Sequence, residues 1–248
     1  SKIITLAVAL EICGFDQVFK KVGMEPTGDP FNSLMKLENT DSSPYNPMIN
    51  AGAIVVASCL ASEISFDTML DTIRALCMDP DINLDKKVYH SEMSHISRNR
   101  AIAYLLESKG YIEKNKDVEN SLHFYVKMCS LSVTAESLAG LGLILANDGI
   151  HPDTGKRLLS SQAVKIVKTL MFTCGMYDGS GEFAVRVGIP SKSGVGGGIL
   201  SVVDGEMGIG IFGPALDKKG NSVAGECVLE YMSHELHLHM FDPQRHTL

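Results

Sequence analysis

Residues 188–214 constrain the fold more than any other part of the chain. Two apolar stretches rich in Val and Ile, Gly198–Val203 and Met207–Phe212, flank the dipeptide Asp204-Gly205. An Asp-Gly pair between two apolar runs is a strong signal for a tight β-hairpin. Because this hairpin follows a long helical pattern, the chain is predicted to be α+β, with a helical cluster plus an antiparallel sheet flanked by helices, rather than alternating parallel α/β.

The residues before the hairpin are predicted to be mainly helical. Lys2 to Val22 is predicted as one buried helix, because apolar side chains cover most of its circumference near the start. The β-branched residues at positions 3–5 leave a short strand open as an alternative there. Residues 23–50 are predicted as loop, since prolines recur through them. Further helices are predicted over residues 51–61, 65–78, 94–109, 119–129, 132–145, 160–173 (capped by Ser160) and 223–238, and a further strand over 183–188.

Charge and composition argue against several classes of partner. The 248 residues carry a formal net charge of −7, which does not favour binding to nucleic acid or to an anionic membrane. The longest apolar run, residues 3–10, is far too short to span a bilayer. A hydrophobic fraction of 45% is ordinary for a globular domain and leaves ample material for a core.

The cysteines and histidines do not indicate a disulfide framework or a metal site. Six cysteines are scattered singly, without a Cys-x-x-Cys pair, and are predicted to be buried, reduced thiols in a reducing compartment. Four histidines lie near the C-terminus, at His234, His237, His239 and His246. No carboxylate or cysteine completes a ligand set with them, so no metal is predicted.

The triplet Lys192-Ser193-Gly194 at the entrance of the hairpin raises the question of chemistry. A glycine-rich turn with a lysine can hold phosphate, but the P-loop places its lysine after the glycines and opens a helix. Here the lysine precedes the glycines at positions 196–198 and a strand follows. Lys-Thr-Gly is instead one signature of serine β-lactamases and penicillin-binding proteins. The triplet therefore indicates serine acyl transfer.

A serine acyl-transfer site needs a base that can accept the proton of the nucleophile. A lysine does this only if burial or neighbouring charges keep it neutral. Lys2, at the head of a nearly all-apolar helix, is the lysine placed for that role. The alternative is a terminal lysine exposed to solvent.

Five ordered motifs carry a resemblance to a known family. They are PYNPMINAGAI (44–54), HSE with SRNRAIAYLL (90–106), HFYVKMCSLSVT (123–134), TCGMYDGSGEF (173–183) and PSKSGVGGGI (190–199). The chain resembles the serine-dependent glutaminases, bacterial type, which hydrolyse L-glutamine to L-glutamate and ammonia. The resemblance runs from Ser1 to the last helix and implies the serine β-lactamase-like fold.

The family opens its central helix with Ser-x-x-Lys, and Ser1-Lys2 fits the last two positions of that motif. The resemblance therefore implies that Lys2 is the base and that the nucleophilic serine lies two residues before Ser1. We accordingly expect residues 1–248 to form a single catalytic domain lacking its N-terminal portion. Within it, about 23–160 would be the mainly helical part, and 1–22 with 161–248 the sheet-plus-helix part.

The resemblance also implies roles for residues of the helical part. Tyr125 would stand near the nucleophile and relay a proton; its alternative is an ordinary helix tyrosine with a satisfied hydroxyl. Asn50 would hydrogen-bond substrate, or else cap the helix that follows it. Glu92 and Asn99 would hold the α-amino and α-carboxylate groups of glutamine. Their alternative is the solvated start of a helix.

Two further roles fall near the hairpin. Tyr177 would lie beside the scissile amide; otherwise it is an aromatic at a strand end that packs on the core. Val195 would contribute its backbone N–H to the oxyanion hole, with the glycines letting the backbone approach the reacting carbonyl. The alternative is that the glycines only relieve strand twist or form a bulge.

Together these patterns predict a glutaminase that uses a γ-glutamyl-serine intermediate, without metal or organic cofactor. L-glutamine is the expected partner, with no nucleic acid and no membrane. The resemblance implies a homo-oligomer, a dimer or a tetramer, and we expect a cytoplasmic location. Alternatives are an N-terminal nucleophile at Ser1, a β-lactam-handling enzyme, and a non-catalytic truncated chain that only binds or oligomerises.

Overall fold

The computed structural model describes residues 1–28, 30–33, 43–114 and 117–245. Two compact units make up the chain. Unit 1 consists of Ser1–Ala75 and Pro80–Ser132, and unit 2 of Leu76–Asp79 and Val133–Leu248. The sequence-based division grouped residues 1–22 with the sheet, whereas they belong to unit 1 because the first helix packs there.

Unit 1 is built from helices and one short ladder. Its helices are α1 (Lys2–Ile12), α2 (Phe15–Phe19), α3 (Asn50–Ala61), α4 (Phe66–Leu76, which ends at the unit boundary), α5 (Lys86–Ser94), α6 (Ser97–Ser108) and α7 (Val118–Cys129). Strand β1 (Asn83–Leu84) pairs antiparallel with β2 (Leu131–Ser132). This pairing joins the segment between α4 and α5 to the residues that follow α7.

Helix α3 is the centre of unit 1. All of its residues except Ala61 are buried, and it packs against α1, α6 and α7. Its many small side chains allow this, and at Gly52 the backbone of Asn46 lies so close that no Cβ would fit. The helix predicted over residues 51–61 is therefore confirmed, and its burial fits a helix whose side chains are apolar on nearly every face.

Helix α1 confirms the predicted buried helix but ends earlier. Eight consecutive residues, 3–10, are buried, so the short-strand alternative is wrong. The helix stops at Ile12 because Gly14 has a φ of 82°, a left-handed conformation that only glycine adopts at low cost, and α2 begins after it.

The predicted helix over 94–109 is in fact the helix α6, preceded by the separate helix α5. Around their junction, the carbonyl oxygen of Ser91 bonds to Ser94 Oγ at 2.7 Å and to His95 Nδ1 at 2.9 Å. Side chains thus compete with the backbone for the helical acceptor, which favours a helix end.

Unit 2 places a three-stranded antiparallel sheet among helices. Its elements are α8 (Ala135–Ala146), α9 (Ser161–Cys174), a 3-10 helix (Tyr177–Gly179), α10 (Ser180–Arg186), β3 (Ser191–Ser193), β4 (Gly198–Val203), β5 (Met207–Phe212) and α11 (Val223–Glu235). The strand order is β3-β4-β5, with Ser191 opposite Ser201 and Ser201 opposite Ile209. The hairpin prediction is confirmed with its turn at Asp204-Gly205, and Ser160 caps α9 as predicted.

Helix α8 lies unusually close to the sheet. Gly208 and Gly210 of β5 face the helix backbone at Ala139 and Ala135, and Gly142 of α8 faces Gly208. At each of these glycines a Cβ would overlap backbone atoms of the opposing element. Glycine on both sides therefore sets the distance between α8 and β5.

The predicted strand over 183–188 is wrong. Residues 180–186 form helix α10 instead. Phe183 and Val187, four residues apart, are buried, while Val185 between them is 79% exposed. The apolar residues therefore repeat with the period of a helix, although their alternation along the sequence resembled that of a strand.

Two expectations from composition can be compared with the structure. All six cysteines are free thiols; three of them are buried, Cys13 is half-buried, and Cys129 and Cys227 are exposed, contrary to the prediction that all are buried. Within the described residues, no single helix has both the length and the hydropathy to cross a bilayer; α3 and α4 meet the criteria only as a pair bent by 113°.

Candidate active site

Lys2 lies in the first turn of α1, where its amino group is held by a side chain of α3. Its Nζ donates a hydrogen bond to Asn50 Oδ1 at 2.9 Å and lies 5.6 Å from the centre of the Phe31 ring. Burial lowers the pKa of Lys2 from its usual value, and the nearby Cys129 thiol acts in the opposite direction. The alternative of a terminal lysine exposed to solvent is therefore wrong.

Asn50 connects Lys2 to a third helix. It is the first residue of α3, and its Nδ2 donates to Asn99 Oδ1 on α6 at 3.1 Å. The helix is preceded by Ile49 at the capping position, and the Asn50 side chain makes no cap, so the capping alternative is wrong. The structure thus joins Lys2, Asn50 and Asn99 in one chain of hydrogen bonds.

Tyr125 lies on α7, close to the start of α1. Its side chain is buried, and Cys129, one turn later on the same helix, places Sγ 3.7 Å from Ser1 Oγ. Residues four apart share a helix face. The face of α7 that carries Tyr125 therefore points toward the first residues of α1.

Glu92 and Asn99 occupy different positions relative to this cluster. Glu92 lies near the end of α5 and is exposed, whereas Asn99 is half-buried in the first turn of α6. Among the described residues, no hydrogen bond joins the Glu92 carboxylate to Lys2, Asn50 or Asn99. The alternative of a solvated helix start does not fit Glu92, which lies at a helix end, whereas Asn99 does lie in the first turn of a helix and is also bonded to Asn50.

In unit 2, Tyr177 begins the 3-10 helix with a φ of 54°. The ring is half-buried, and Lys192 Nζ lies 4.3 Å from its centre. The same lysine donates a hydrogen bond to the Ser193 carbonyl. Ser180 Oγ donates to the Tyr177 carbonyl at 2.8 Å, which holds the strained residue. The strand-end alternative is wrong because this tyrosine lies in a helical turn.

Val195 lies in the turn between β3 and β4. The turn is closed by hydrogen bonds from Gly194 N to Gly198 O at 2.9 Å and from Gly197 N to Gly194 O at 2.8 Å. Val195 is 55% exposed, and its backbone N–H donates to no group within the described residues. An exposed, unpaired N–H in a tight turn is a suitable donor for an oxyanion.

Sequence reasoning missed three neighbours of these residues. Phe31, beside Lys2, lies in a loop whose sequence carries no periodic signal. Cys129 could have been found, because it lies four residues after Tyr125 on a predicted helix. The segment 217–221, which contacts Tyr177 and Val195, had only Asp and Gly to indicate a turn.

The described residues contain no group of three His, Cys, Asp or Glu that could hold a metal ion. His237 Nδ1 pairs with Asp242 at 3.1 Å and His234 Nδ1 with Glu235 at 3.0 Å. His246, the fourth histidine of the sequence cluster, lies outside the described residues.

Comparison with known proteins identifies the family of the chain. The glutaminase family profile matches residues 1–241. Glutaminases of Fusobacterium nucleatum and Clostridioides difficile are each 53% identical over 245 residues, which covers 97% of this chain and 80% and 79% of theirs.

Solved structures show the same relationship. A probable glutaminase of Bacillus subtilis matches with a TM-score of 0.91 and 40% identity, covering 97% of this chain and 80% of that one. A Bacillus subtilis glutaminase in covalent complex with 5-oxo-L-norleucine matches with a TM-score of 0.85 and 37% identity, covering 97% and 79%. The helices and antiparallel sheet form the β-lactamase-like fold, as predicted. The chain belongs to the glutaminase family.

Proposed function

We propose that the protein hydrolyses L-glutamine to L-glutamate and ammonia through a γ-glutamyl-serine intermediate, with Lys2 as the base. The observation that carries this proposal is the environment of Lys2. Lys2 is half-buried, burial lowers the pKa of its amino group, and one hydrogen bond fixes the direction of that group. A lowered pKa makes the neutral amine more available, and the neutral amine is the form that can accept the proton of an attacking hydroxyl.

Asn50 orients the lone pair of Lys2. A neutral amine has two N–H bonds and one lone pair, and one N–H points to Asn50 Oδ1. The lone pair must then point elsewhere, where it can receive the serine proton. The family resemblance implies that this serine is the first residue of the Ser-x-x-Lys pattern whose last two residues are Ser1 and Lys2.

Asn99 fixes which way the Asn50 amide faces. Because Asn99 Oδ1 accepts from Asn50 Nδ2, the oxygen of Asn50 is left to face Lys2. The Nδ2 group of Asn99 has two N–H donors, which suits it to the α-carboxylate of glutamine. We assign the α-ammonium to the exposed carboxylate of Glu92, since a charged pair gives the stronger hydrogen bond.

Three further residues act where the C–N bond of the glutamine side-chain amide breaks. The serine oxygen bonds to the side-chain amide carbon of glutamine, the C–N bond breaks, and Tyr125 passes a proton to the departing ammonia. Tyr177 packs beside the scissile amide, and the Val195 N–H binds the oxyanion. One such donor contributes about 3–4 kcal/mol in other enzymes. Water then cleaves the ester with the same base, which returns the proton to serine.

We also propose a cytoplasmic location and a homo-oligomer, a dimer or a tetramer. The location is supported by six free cysteines, which suit a reducing compartment. The oligomer is supported by the family resemblance alone. The net charge of −7 favours neither nucleic acid nor an anionic membrane as partner.

The structure weighs against the alternative in which Ser1 is an N-terminal nucleophile. Ser1 precedes α1 at the helix cap position, and its hydroxyl contacts Cys129. N-terminal nucleophiles need their own α-amine as base, whereas here Lys2 already provides an amine with a lowered pKa.

The test is covalent labelling of the full-length protein with 6-diazo-5-oxo-L-norleucine, followed by peptide mass spectrometry. We expect one adduct, on the serine two positions before Ser1, prevented by excess glutamine and absent from a Lys2→Met variant. Glutamate release should be lost in parallel. A folded wild-type protein that neither reacts nor releases glutamate would overturn the proposal.

A further inference from the structure

We infer that the turn at residues 217–221, here called the Asp217 turn, positions Tyr177 and Val195 for glutamine hydrolysis. The inference rests on the roles proposed above for those two residues. It adds Asp217 and Gly220 as positioning residues, which act through Tyr177 and Val195 and not on the substrate.

One carboxylate oxygen organises the Asp217 turn. Asp217 Oδ1 accepts from Lys219 N at 2.9 Å and from Asn221 N at 2.8 Å. The backbone N–H of Asp217 donates to Asn221 O at 2.8 Å, and Gly220 N donates to Asp217 O at 3.2 Å. These four bonds define the path of the chain from residue 217 to residue 221, and two of them depend on one side chain.

Gly220 brings the turn against both candidate residues. Its φ is 96°, a conformation that L residues rarely adopt. From the position of a Cβ built on Gly220, Val195 Cγ1 is 3.5 Å away and Tyr177 Cε2 is 3.6 Å away. A methyl group at Gly220 would therefore be in ordinary van der Waals contact with both side chains, so the backbone of the Asp217 turn passes beside them.

Two more contacts tie the Asp217 turn to residues on either side of the 3-10 helix that carries Tyr177. Asn221, which is 1% exposed, donates from Nδ2 to the Met176 carbonyl at 3.3 Å. Lys219 Nζ bonds to Glu182 of α10 at 3.0 Å, an exposed pair that contributes little by itself. The buried amide contact is the stronger tie, since leaving a buried polar group unpaired is costly.

The need for such a support follows from the backbone on either side. Tyr177 has a φ of 54°, and a bulky residue holds such a conformation only where its surroundings enforce it. Val195 lies in an exposed turn. If the Asp217 turn loosened, both could shift by part of an ångström, and catalysis is sensitive to displacements of that size.

The first experiment compares Asp217→Ala with Asp217→Asn in the full-length protein. The alanine variant loses the oxygen that accepts both hydrogen bonds, so we expect kcat to fall on the order of tenfold with KM changed by less than about threefold. The asparagine variant keeps an acceptor oxygen, so most of kcat should return. The control is Asp242→Ala, which removes a similar hydrogen bond, from Gln244 N at 2.8 Å, elsewhere in unit 2.

The second experiment tests the packing point. Gly220→Ala and Gly155→Ala add the same methyl group at positive φ, but nothing lies within 4 Å of the Cβ position at Gly155. An alanine at either position strains a backbone with positive φ, but only at Gly220 would the new methyl group touch Val195 and Tyr177 and pass the adjustment on to them. We expect kcat to fall in the Gly220 variant and to stay unchanged in the Gly155 variant. This pair decides the question if Asp217→Ala does not fold by circular dichroism.

The inference is overturned if Asp217→Ala keeps wild-type kcat, if it loses no more than Asp242→Ala, or if the loss is confined to KM. Failure of the asparagine variant to recover kcat would also overturn it. A wild-type protein without glutaminase activity would instead overturn the proposed function, so the two failures are distinguishable.

Discussion

The candidate residues of the two units offer different chemistry. Unit 1 contributes polar side chains from separate helices, with Lys2, Asn50 and Asn99 linked by hydrogen bonds of 2.9 and 3.1 Å. Unit 2 contributes a backbone N–H at Val195, held in a glycine-rich turn. The reactivity of a side-chain group depends on its pKa and on its hydrogen-bond partners. The usefulness of a backbone N–H depends only on where the chain places it. The variants below test this difference.

The largest effect is expected from Lys2→Met, which removes the base. General base catalysis contributes about 10²–10⁴-fold, and we expect kcat/KM to fall by that much. Methionine fills a similar volume and has no charge to bury, so the midpoint of thermal unfolding should not fall appreciably. The control is Lys20→Met, at the exposed residue that follows α2, and it should leave kcat/KM unchanged. More than a tenth of wild-type activity in Lys2→Met would contradict the role.

Val195→Pro tests the backbone side of the comparison. Proline lacks the N–H, and removal of one oxyanion donor costs about 10²–10³-fold in kcat. Val195→Ala keeps the N–H and should stay within about threefold of wild type. Equal losses in the two variants would mean that the Val195 side chain matters and its backbone does not.

Asn50→Asp tests whether the pKa of Lys2 is set by its surroundings. Catalysis needs the neutral amine, so kcat/KM should rise with pH through the pKa of Lys2, which burial places below the usual 10.5. A carboxylate beside Lys2 favours the charged form and raises that pKa. The midpoint should then move to higher pH, with a loss of about ten- to a hundredfold near neutrality that high pH restores. An unmoved midpoint would contradict the assignment of Lys2.

Cys129→Ala should have the smallest effect. The thiol raises the pKa of Lys2, opposing the larger influence of burial. Its removal should therefore shift the midpoint of the pH–rate curve to slightly lower pH, by less than about one unit. Cys227→Ala, another exposed cysteine, is the control and should leave the midpoint unchanged. A shift to higher pH would show that the two groups are not coupled as described.

The parts of the fold that the sequence predicted are those with local signals, and the parts it missed depend on packing between distant residues. The hairpin was predictable because Asp204-Gly205 and the flanking apolar runs are local signals. Helix α3 was predictable because its run of small apolar residues is also a local signal. Helix α10 was not, because Phe183, Val185 and Val187 alternate along the sequence, and only tertiary packing makes the first and third buried. The end of α1 at Ile12 depended on the conformation of Gly14, which composition does not reveal.

For the candidate site, the family resemblance proposed side chains, and the sequence carried no information about their contacts. Lys2 could be singled out because it heads an apolar helix. Its partner Asn50 is 48 residues away and its neighbour Phe31 lies in a loop, so neither contact has a local pattern. The support of Tyr177 by the Asp217 turn is likewise long-range. Burial and pairing depend on the folded chain, and no single segment encodes them.

The glycines between α8 and β5 have a consequence for how this protein can change over generations. Where Gly208 and Gly210 meet the helix backbone there are no rotamers to rearrange, so a new methyl group cannot be absorbed by repacking. Any side chain larger than hydrogen at these positions should destabilise the fold strongly, whereas at an aliphatic core residue the loss of stability grows with the change in volume. Substitutions that accumulate in unit 2 must therefore spare these glycines, so the distance between α8 and β5 should stay the same as the sequence diverges.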